Sequence, residues 1–293
     1  VEKKILLQFD TDAHPASFDA IVAYDGGADC VIAYANLTPA NVGPLVDGAI
    51  FTRASSAKKN TAIFIGGRDL QAGQALLEAV KGKFFAGFRV SVMLDSNGSN
   101  TTAAAGVATI AENLTLSGKR AVVLAGTGPV GQRVAALLAK EGAKVILTSR
   151  EFQRAQLACQ AILERFGVKV MPYEAKDCAA RAQAIVGANI VFATGKAGVC
   201  LLEERGWREN PTLEVLVDAN ATPPLGIAGL EASDRGTLRH GKLCFGALGF
   251  GSLKLALHRA CIAKLFERHD QVLDALEIYA LAQTLVKSAS RRT

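Results

Sequence analysis

No apolar run in this sequence reaches the roughly 18 to 20 residues that a membrane-spanning helix needs, so no transmembrane segment and no membrane partner are expected. It has no C-x-x-C pair either. Its six cysteines stand apart at positions 30, 159, 178, 200, 244 and 261. That pattern excludes the usual zinc-site spacings and does not look like a disulfide framework, which points to reduced thiols, a cytoplasmic location and no bound metal. Basic runs interleaved with aromatics are missing as well. The 33 Lys and Arg residues outnumber the 27 Asp and Glu, for a net charge of +6, but they are dispersed. Most of that excess reads as solvated surface, and nucleic acid is not an expected partner. There is no internal repeat and no low-complexity segment. The opening "VEKKILLQFD" has only a short apolar run before Asp10 and no small-residue cleavage site, so it reads as a first strand and not as a signal peptide.

What is present is a folded chain of 293 residues, half of them apolar and 20% charged, long enough for two domains. Short apolar strands alternate with helical patterns. The strands are predicted at 4–10, 30–37, 61–67, 89–95, 120–126, 144–150, 168–174, 189–195, 213–220 and 242–247. Between them lie helical stretches such as "DLQAGQALLEAVKGKFF" (69–85) and "EFQRAQLACQAILERF" (151–166). This alternation means βαβ units and mostly parallel sheets. A polar, turn-rich break at "ENLTLSGK" (112–119) suggests an α/β substrate domain over 1–115 and a second α/β domain over 116–249. The helical patterns of 250–293 carry an apolar stripe at Leu253, Leu257, Cys261 and Leu265 and are expected to return to the first domain, leaving a cleft between the two.

The second domain opens with "VVLAGTGPVGQRVAALLA" (122–139). Gly126, Gly128 and Gly131 form G-x-G-x-x-G, with Thr127, Pro129 and Val130 between them. The motif alone is weak. Here it follows a strand, opens a helix, and is followed about 20 residues later by the end of a second strand, the setting a dinucleotide site requires. The first glycine is expected to allow a tight turn, the second to let the backbone approach a pyrophosphate, and the third to let helix and strand pack closely. Pro129 suits the first helical position, where its missing N–H costs nothing. Free N–H groups at the helix start would then face the anion.

The tip of the next strand selects the cofactor. An NAD site usually places an acid there for the ribose 2′-hydroxyl. This chain has "TSRE", and Ser149 with Arg150 favours a 2′-phosphate, hence NADP, with Arg154 able to join. Glu151 is discordant, because turned inward it would suit NAD, which stays a secondary cofactor. Ala193, Thr194 and Gly195 at one strand tip, and Asp218 and Asn220 at another, are expected to line the nicotinamide half of the cleft. Ordinary turn roles remain open for the last two. In the first domain "MLDSNGSNTTAAAG" (93–106) places Asp95, Asn97, Ser99, Asn100, Thr101 and Thr102 at a strand end, a density of polar groups suited to a heterocycle rich in donors and acceptors. The plainer reading is a helix cap by Ser99 or Asn100. Asp10, Asp12, Asp19 and Asp25 have no metal-site spacing and read as turn and cap residues.

Taken together, "QFDTDAHPASFDAIVAYDGGAD" (8–29), "FRVSVMLDSNGSNTTAAAGVA" (88–108), "AVVLAGTGPVG" (121–131), "PPLGI" (223–227) and "FGALGFGSLKLALHRACIAKLFE" (245–267) resemble the bacterial methylene-tetrahydromethanopterin dehydrogenases of one-carbon metabolism. The resemblance covers essentially the whole chain. It implies an N-terminal α/β pterin domain completed by the C-terminal helices, and a central Rossmann-type, doubly wound NADP domain. It also implies reversible oxidation of the methylene to the methenyl pterin in formaldehyde oxidation, and a homo-oligomer, taken here as a trimer. Lys254 matches a lysine that the family places in the pterin site; Ala256 stands where some relatives carry a second lysine.

The chemistry such a family implies needs no general base. A methylene carbon between two nitrogens loses hydride to give a delocalised amidinium cation, and no proton moves at the reacting carbon. The four histidines at 14, 240, 258 and 269 show no triad-like arrangement. Catalysis would rest on near-attack alignment and exclusion of water, with Lys254 positioning the substrate. Two other readings stay open: a dehydrogenase of folate or of a shikimate-like acid, the latter needing a Lys/Asp pair for which Lys58 or Lys59 is the nearest candidate, and a non-catalytic NADP-sensing protein.

Overall fold

A computed structural model describes residues 2–290. In chain order the strands are β1 (Ile5–Asp10), β2 (Cys30–Tyr34), β3 (Thr61–Gly66), β4 (Ser91–Leu94), β5 (Arg120–Leu124), β6 (Lys144–Ser149), β7 (Met171–Glu174), β8 (Ile190–Ala193), β9 (Val215–Asp218), β10 (Arg235–Arg239), β11 (Lys242–Phe245) and β12 (Val272–Leu273). The helices are α1 (Ser17–Asp25), α2 (Gly43–Phe51), α3 (Leu70–Gly82), α4 (Ser99–Asn113), α5 (Pro129–Lys140), α6 (Phe152–Phe166), α7 (Cys178–Ala184), α8 (Ala247–Leu265) and α9 (Ala275–Ser290). Each of the ten strands expected from the sequence is present. The two additional ones are β10 and β12.

The chain falls into two compact units. Of the described residues, one takes 2–101 and 255–285, the other 102–254 and 286–290. The division therefore runs through α4, through α8 and through the last turns of α9.

The first unit is built on a five-stranded sheet in the order β12-β4-β3-β1-β2, every pair parallel. Its central strands are largely apolar and buried at nearly every position, as a parallel sheet covered on both faces requires. β3 is buried at all six positions. Phe9, Ile63, Ile65, Leu76, Val92 and Leu94 form the heart of its core. α3 starts cleanly because the Asp69 carboxylate accepts the N–H groups of Gln71 and Ala72 at 2.8 and 3.1 Å. The stripe read from the sequence is largely buried: Leu257, Cys261 and Leu265 are fully covered and Leu253 half-buried. α8 closes against α1 at Gly26, where a Cβ would stand 2.7 Å from Ile262 Cβ, and Arg259 pairs with Asp25 at 2.8 Å.

The second unit carries a seven-stranded sheet in the order β10-β11-β9-β8-β5-β6-β7. All its pairs are parallel except β10 with β11. Leaving out the antiparallel edge strand, and counting β5 as first, the order is 3-2-1-4-5-6, that of the doubly wound dinucleotide-binding fold, with its topological switch between β5 and β8. Trp207, fully buried, anchors the core beneath β9 with Leu216, Ile227 and Val191, and donates its indole N–H to Ala228 O at 2.9 Å. α6 ends at Gly167, whose φ of +64° supplies the left-handed cap.

Candidate functional site

The turn from β5 into α5 sits at the topological switch of the second sheet. Its left-handed residue is Ala125, with φ +52°, and not the glycine that follows. Two bonds from β6 hold it there: Ala125 N–H donates to Thr148 Oγ1 at 3.0 Å, and Gly126 N–H to Thr148 O at 3.0 Å. Gly126 is required for space instead, since a Cβ there would lie 2.7 Å from Leu147 Cγ. This corrects the expectation that the first glycine supplies the turn. A Cβ on Gly131 would lie 2.5 Å from Gly126 Cα and 2.6 Å from its carbonyl oxygen, so the third position is fixed by contact between two backbones. Gly128 meets nothing within 4 Å and faces open space. Pro129 is at the start of α5, behind Gly128 as N-cap. Thr127 accepts a bond from Gln132 Nε2 at 2.8 Å through its carbonyl, and Val130 is half-buried in the first turn.

Beside this turn lies a pocket of about 270 Å³, partly open to solvent. Thr127, Ser149, Arg150 and Arg154 line it, and so do Arg181 and Lys196, two cations that the sequence patterns do not single out. Arg181 is buried and spoken for, donating to Leu201 O at 3.0 Å and Lys176 O at 3.3 Å. Arg150, Arg154 and Lys196 are exposed. Lys196 directly follows the "ATG" at the tip of β8, so its position was readable; Arg181 comes from α7 and left no local signal. Glu151 is not among the lining residues. Its carboxylate turns toward Arg154, 3.9 Å from Nη1, and its N–H meets Ser149 Oγ at 3.3 Å. The pocket wall is therefore cationic.

The other tips have mixed roles. Ala193 ends β8, Thr194 Oγ1 donates to Leu124 O at 3.1 Å, and Gly195 lines the pocket. Asp218 is fully buried. Its two oxygens accept the N–H groups of Asn220 at 2.9 Å and Ile227 at 2.8 Å. Burial pushes its carboxyl above the ordinary value, and those N–H groups pull it partly back. Asn220 accepts the Thr222 N–H at 3.0 Å and reaches Pro224 O at 3.4 Å. Both side chains brace the loop over 219–227, and Gly226 O in turn receives the Leu201 N–H at 2.7 Å. Neither lines the pocket.

In the first unit the cap of α4 comes from Asp95, not from Ser99 or Asn100. Asp95 is buried; Oδ1 accepts the N–H groups of Asn100 at 2.8 Å and Thr101 at 3.0 Å, and Oδ2 accepts the Thr101 hydroxyl at 2.6 Å. The Asn100 amide donates to Leu94 O and to Asp274 Oδ1 at 3.0 Å, joining α4 to the start of α9. Ser99 is buried with no partner for its hydroxyl. Asn97 is exposed, with φ +56°, and its N–H reaches Gly67 O at 2.7 Å. Asn97 thus stands beside the tips of β1 and β3, where this 2-1-3-4-5 sheet reverses its order. Asp10 takes a turn role at that tip, accepting from Asp12 and Ala16, while Asp12 pairs with Arg68 at 2.9 Å. His258 of α8 is buried and stacked on Phe64, with ring centroids 5.5 Å apart.

Thr102 of α4 and Lys254 of α8, both half-buried, fall in the second unit. Lys58, the nearest candidate for a shikimate-type pair, lies before β3, is buried, and donates to Gly87 O at 3.1 Å. Among the described residues no group of three His, Cys, Asp or Glu side chains could hold a metal, and no helix is long and apolar enough to cross a membrane.

Comparison with known proteins adds the following. The family model described as "Methylene-tetrahydromethanopterin dehydrogenase, N-terminal" matches residues 17–97. The chain is 55% identical over 287 residues to the "Bifunctional protein MdtA" of Methylorubrum extorquens, covering 97% of this chain and 100% of that one. It is 32% identical over 279 residues to the "NAD(P)-dependent methylenetetrahydromethanopterin dehydrogenase" of the same organism, covering 92% and 94%. Among solved structures, the ligand-free 5-ketofructose reductase of a Gluconobacter species superposes with a TM-score of 0.57 at 14% identity over 97% of this chain and 99% of that one, a likeness of fold alone.

Proposed function

The chain belongs to the methylene-tetrahydromethanopterin dehydrogenase family, and from that premise we propose that it oxidises methylene-tetrahydromethanopterin to the methenyl form with NADP as its preferred acceptor. The activity is that of an oxidoreductase using a nicotinamide cofactor. The observation that carries the cofactor assignment is the open face of Gly128 beside a cationic pocket at the switch point of the seven-stranded sheet. A dinucleotide fits the residues present: the turn leaves space where a pyrophosphate approaches, and a Cβ at Gly128 would occupy it. When bound, the nicotinamide supplies the hydride acceptor.

The chain's own residues bind and orient. The start of α5 presents free N–H groups to the pyrophosphate. Ser149, Arg150 and Arg154 take the 2′-phosphate, with Lys196 adding a fourth partner, while Glu151 is turned aside. Thr194 and Gly195 border the nicotinamide side, and Asp218 and Asn220 shape the loop that supports Leu201. The pterin falls to the first unit's strand tips, with Asn97 as the contacting side chain and Asp95, Asn100 and Thr101 as the buried frame beneath it. Lys254 positions the pterin by donating a charge-assisted hydrogen bond. It cannot stabilise a cationic product, and no side chain has to move a proton at the reacting carbon.

Further parts of the reading are a homo-oligomer, supported by exposed Phe152, Leu157 and Leu163 on α6 and Met171 on the edge strand β7, and a cytoplasmic site, supported by six free thiols.

The experiment follows absorbance at the reduced-nicotinamide band with purified protein, either methylene-tetrahydromethanopterin or methylene-tetrahydrofolate, and NADP or NAD. Turnover of the methanopterin with a higher kcat/KM for NADP is expected. No turnover of it with either cofactor refutes the activity, and a preference for NAD refutes the cofactor assignment.

A further inference from the structure

Two short segments of the first unit, 51–60 and 81–90, contain six cations and no carboxylate: Arg53, Lys58, Lys59, Lys81, Lys83 and Arg89. The fold brings them together at one edge. α2 ends at Phe51, β3 starts at Thr61, α3 ends at Gly82 and β4 starts at Ser91. These positions mark the strand-start edge of the sheet, opposite the carboxyl tips where parallel sheets bind their small ligands.

Three phenylalanines lie exposed on that edge. Phe51 is 56% exposed, Phe85 51% and Phe88 39%. They form one platform. Phe85 stacks on Phe88 with centroids 5.0 Å apart, and Phe51 approaches Phe88 at 5.3 Å and Phe85 at 6.1 Å. Lys58 fixes the platform from within. It is only 3% exposed; its Nζ lies 3.9 Å from the centre of the Phe88 ring and donates to Gly87 O. The neighbouring carboxylates are already engaged, Asp47 by Lys83 and Glu78 by Lys81, both at 2.9 Å, and Glu2 by the Asn60 amide at 3.3 Å. Lys59 is exposed, and Arg53 has one buried guanidinium nitrogen, Nη1, without a hydrogen-bond partner.

Three contiguous aromatic rings in water cost free energy, and nothing in this chain's turnover uses them. We propose that this platform docks a partner protein through an acidic segment that carries an aromatic or aliphatic anchor, the anchor seated on the three rings and the carboxylates meeting Arg53, Lys59 and Arg89. The charge decides the occupant. An isologous contact with a second copy would set the same cations against themselves, and the exposed apolar residues assigned above to self-association, Phe152, Leu157, Leu163 and Met171, belong to the other unit. A membrane surface would need rings free to insert, whereas each ring here is partly covered by its neighbours. The docking edge leaves the strand tips open, so a bound partner would not block substrate.

The test uses the full chain and three labelled peptides of about twelve residues, read by fluorescence anisotropy. One carries two tryptophans among glutamates and aspartates; the second replaces the tryptophans by serine; the third replaces the acids by lysine. Saturable binding of the first alone is expected, weakening with salt and falling at least about tenfold in Phe85→Ser and in Lys59→Glu. Both positions are exposed, so fold and turnover stay at the parent level, which circular dichroism and the absorbance assay check. Absence of binding by the first peptide, or equal binding to parent and variants, overturns the proposal. So does co-sedimentation only with phosphatidylserine vesicles, or an oligomer of any size in sedimentation velocity that dissociates in Phe85→Ser.

Discussion

Alanine at Gly128 and alanine at Gly131 should fail in opposite ways, although the two glycines belong to one motif. At Gly131 the new Cβ would stand 2.5 Å from Gly126 Cα, and ordinary contact begins at 3.4 Å, so turn and helix must separate by about 0.9 Å. Both neighbours are backbone, with no side chain to rotate away. Overpacking of this kind costs about 1 to 3 kcal/mol. For a unit of about 150 residues that lowers Tm by roughly 2 to 12 °C. At Gly128 φ is −77° and ψ 174°, extended backbone open to any residue, and a Cβ meets nothing within 4 Å. The free protein should therefore keep its Tm or gain about 0.4 to 1 kcal/mol through a stiffer unfolded chain. The methyl group would nevertheless occupy the approach of the pyrophosphate. Loss of charge-assisted contacts there, at about 1.5 to 3 kcal/mol, weakens NADP by roughly 10- to 150-fold. Differential scanning fluorimetry with and without NADP, and a fluorescence titration for Kd, read both effects. A Gly128→Ala protein that binds NADP like the parent would refute the placement of the pyrophosphate at this turn.

Arg150→Ala should lower the NADP-over-NAD ratio of kcat/KM by roughly 10- to 150-fold, less at high salt, and adding Arg154→Ala should lower it further; a constant ratio at one ionic strength would make Arg150 a surface residue only. Lys254→Ala should cost roughly 10- to 150-fold in kcat/KM for the pterin while the Kd for NADP stays near parent, and unchanged pterin kinetics would remove the residue from the site. Burial pushes the thiols of Cys159 and Cys244 up to about 11 and raises that of Cys261 further, so these three carry almost no thiolate at pH 8. Iodoacetamide on the folded protein, read by peptide mass spectrometry, should label Cys30, Cys178 and Cys200 first and the other three only after unfolding.

The strands were legible because a parallel sheet covered on both faces needs short continuous apolar runs, and runs such as "TAIFIG" and "AVVL" occur in few other settings. The two additional strands lack that signature. β10, "RGTLR", lies at a sheet edge, carries two arginines and leaves Leu238 70% exposed. β12 is two residues long and is a strand only because Val272 and Leu273 pair with Val92 and Met93. The glycine motif was legible as a site, but the distribution of labour within it was not. The left-handed turn rests on Ala125, held by a threonine 23 residues away. For the cap of α4 the sequence points to the nearest polar residues, whereas Asp95 reaches forward past the turn at 96–98 to the helix N–H groups. Lys196 follows from its place at a strand tip. Arg181 does not, because only the tertiary fold brings α7 to the pocket.

The first unit is assembled from residues 2–101 and 255–285, with the other unit's chain running between them in sequence. During synthesis this sets an order. Residues 102–254 leave the ribosome as one continuous piece and can fold as they emerge. The N-terminal stretch must wait some 150 residues of translation for α8, β12 and the start of α9. Until then β4 has an open edge where Val272 and Leu273 will later pair, and the seat of Ile262 against Gly26 stays empty. A nascent chain in that interval presents a bare strand edge and an apolar helix face, both invitations to chaperones and to neighbouring chains. Truncation within α8 would leave that exposure permanent, so C-terminal loss should produce insolubility before it produces a partly active enzyme.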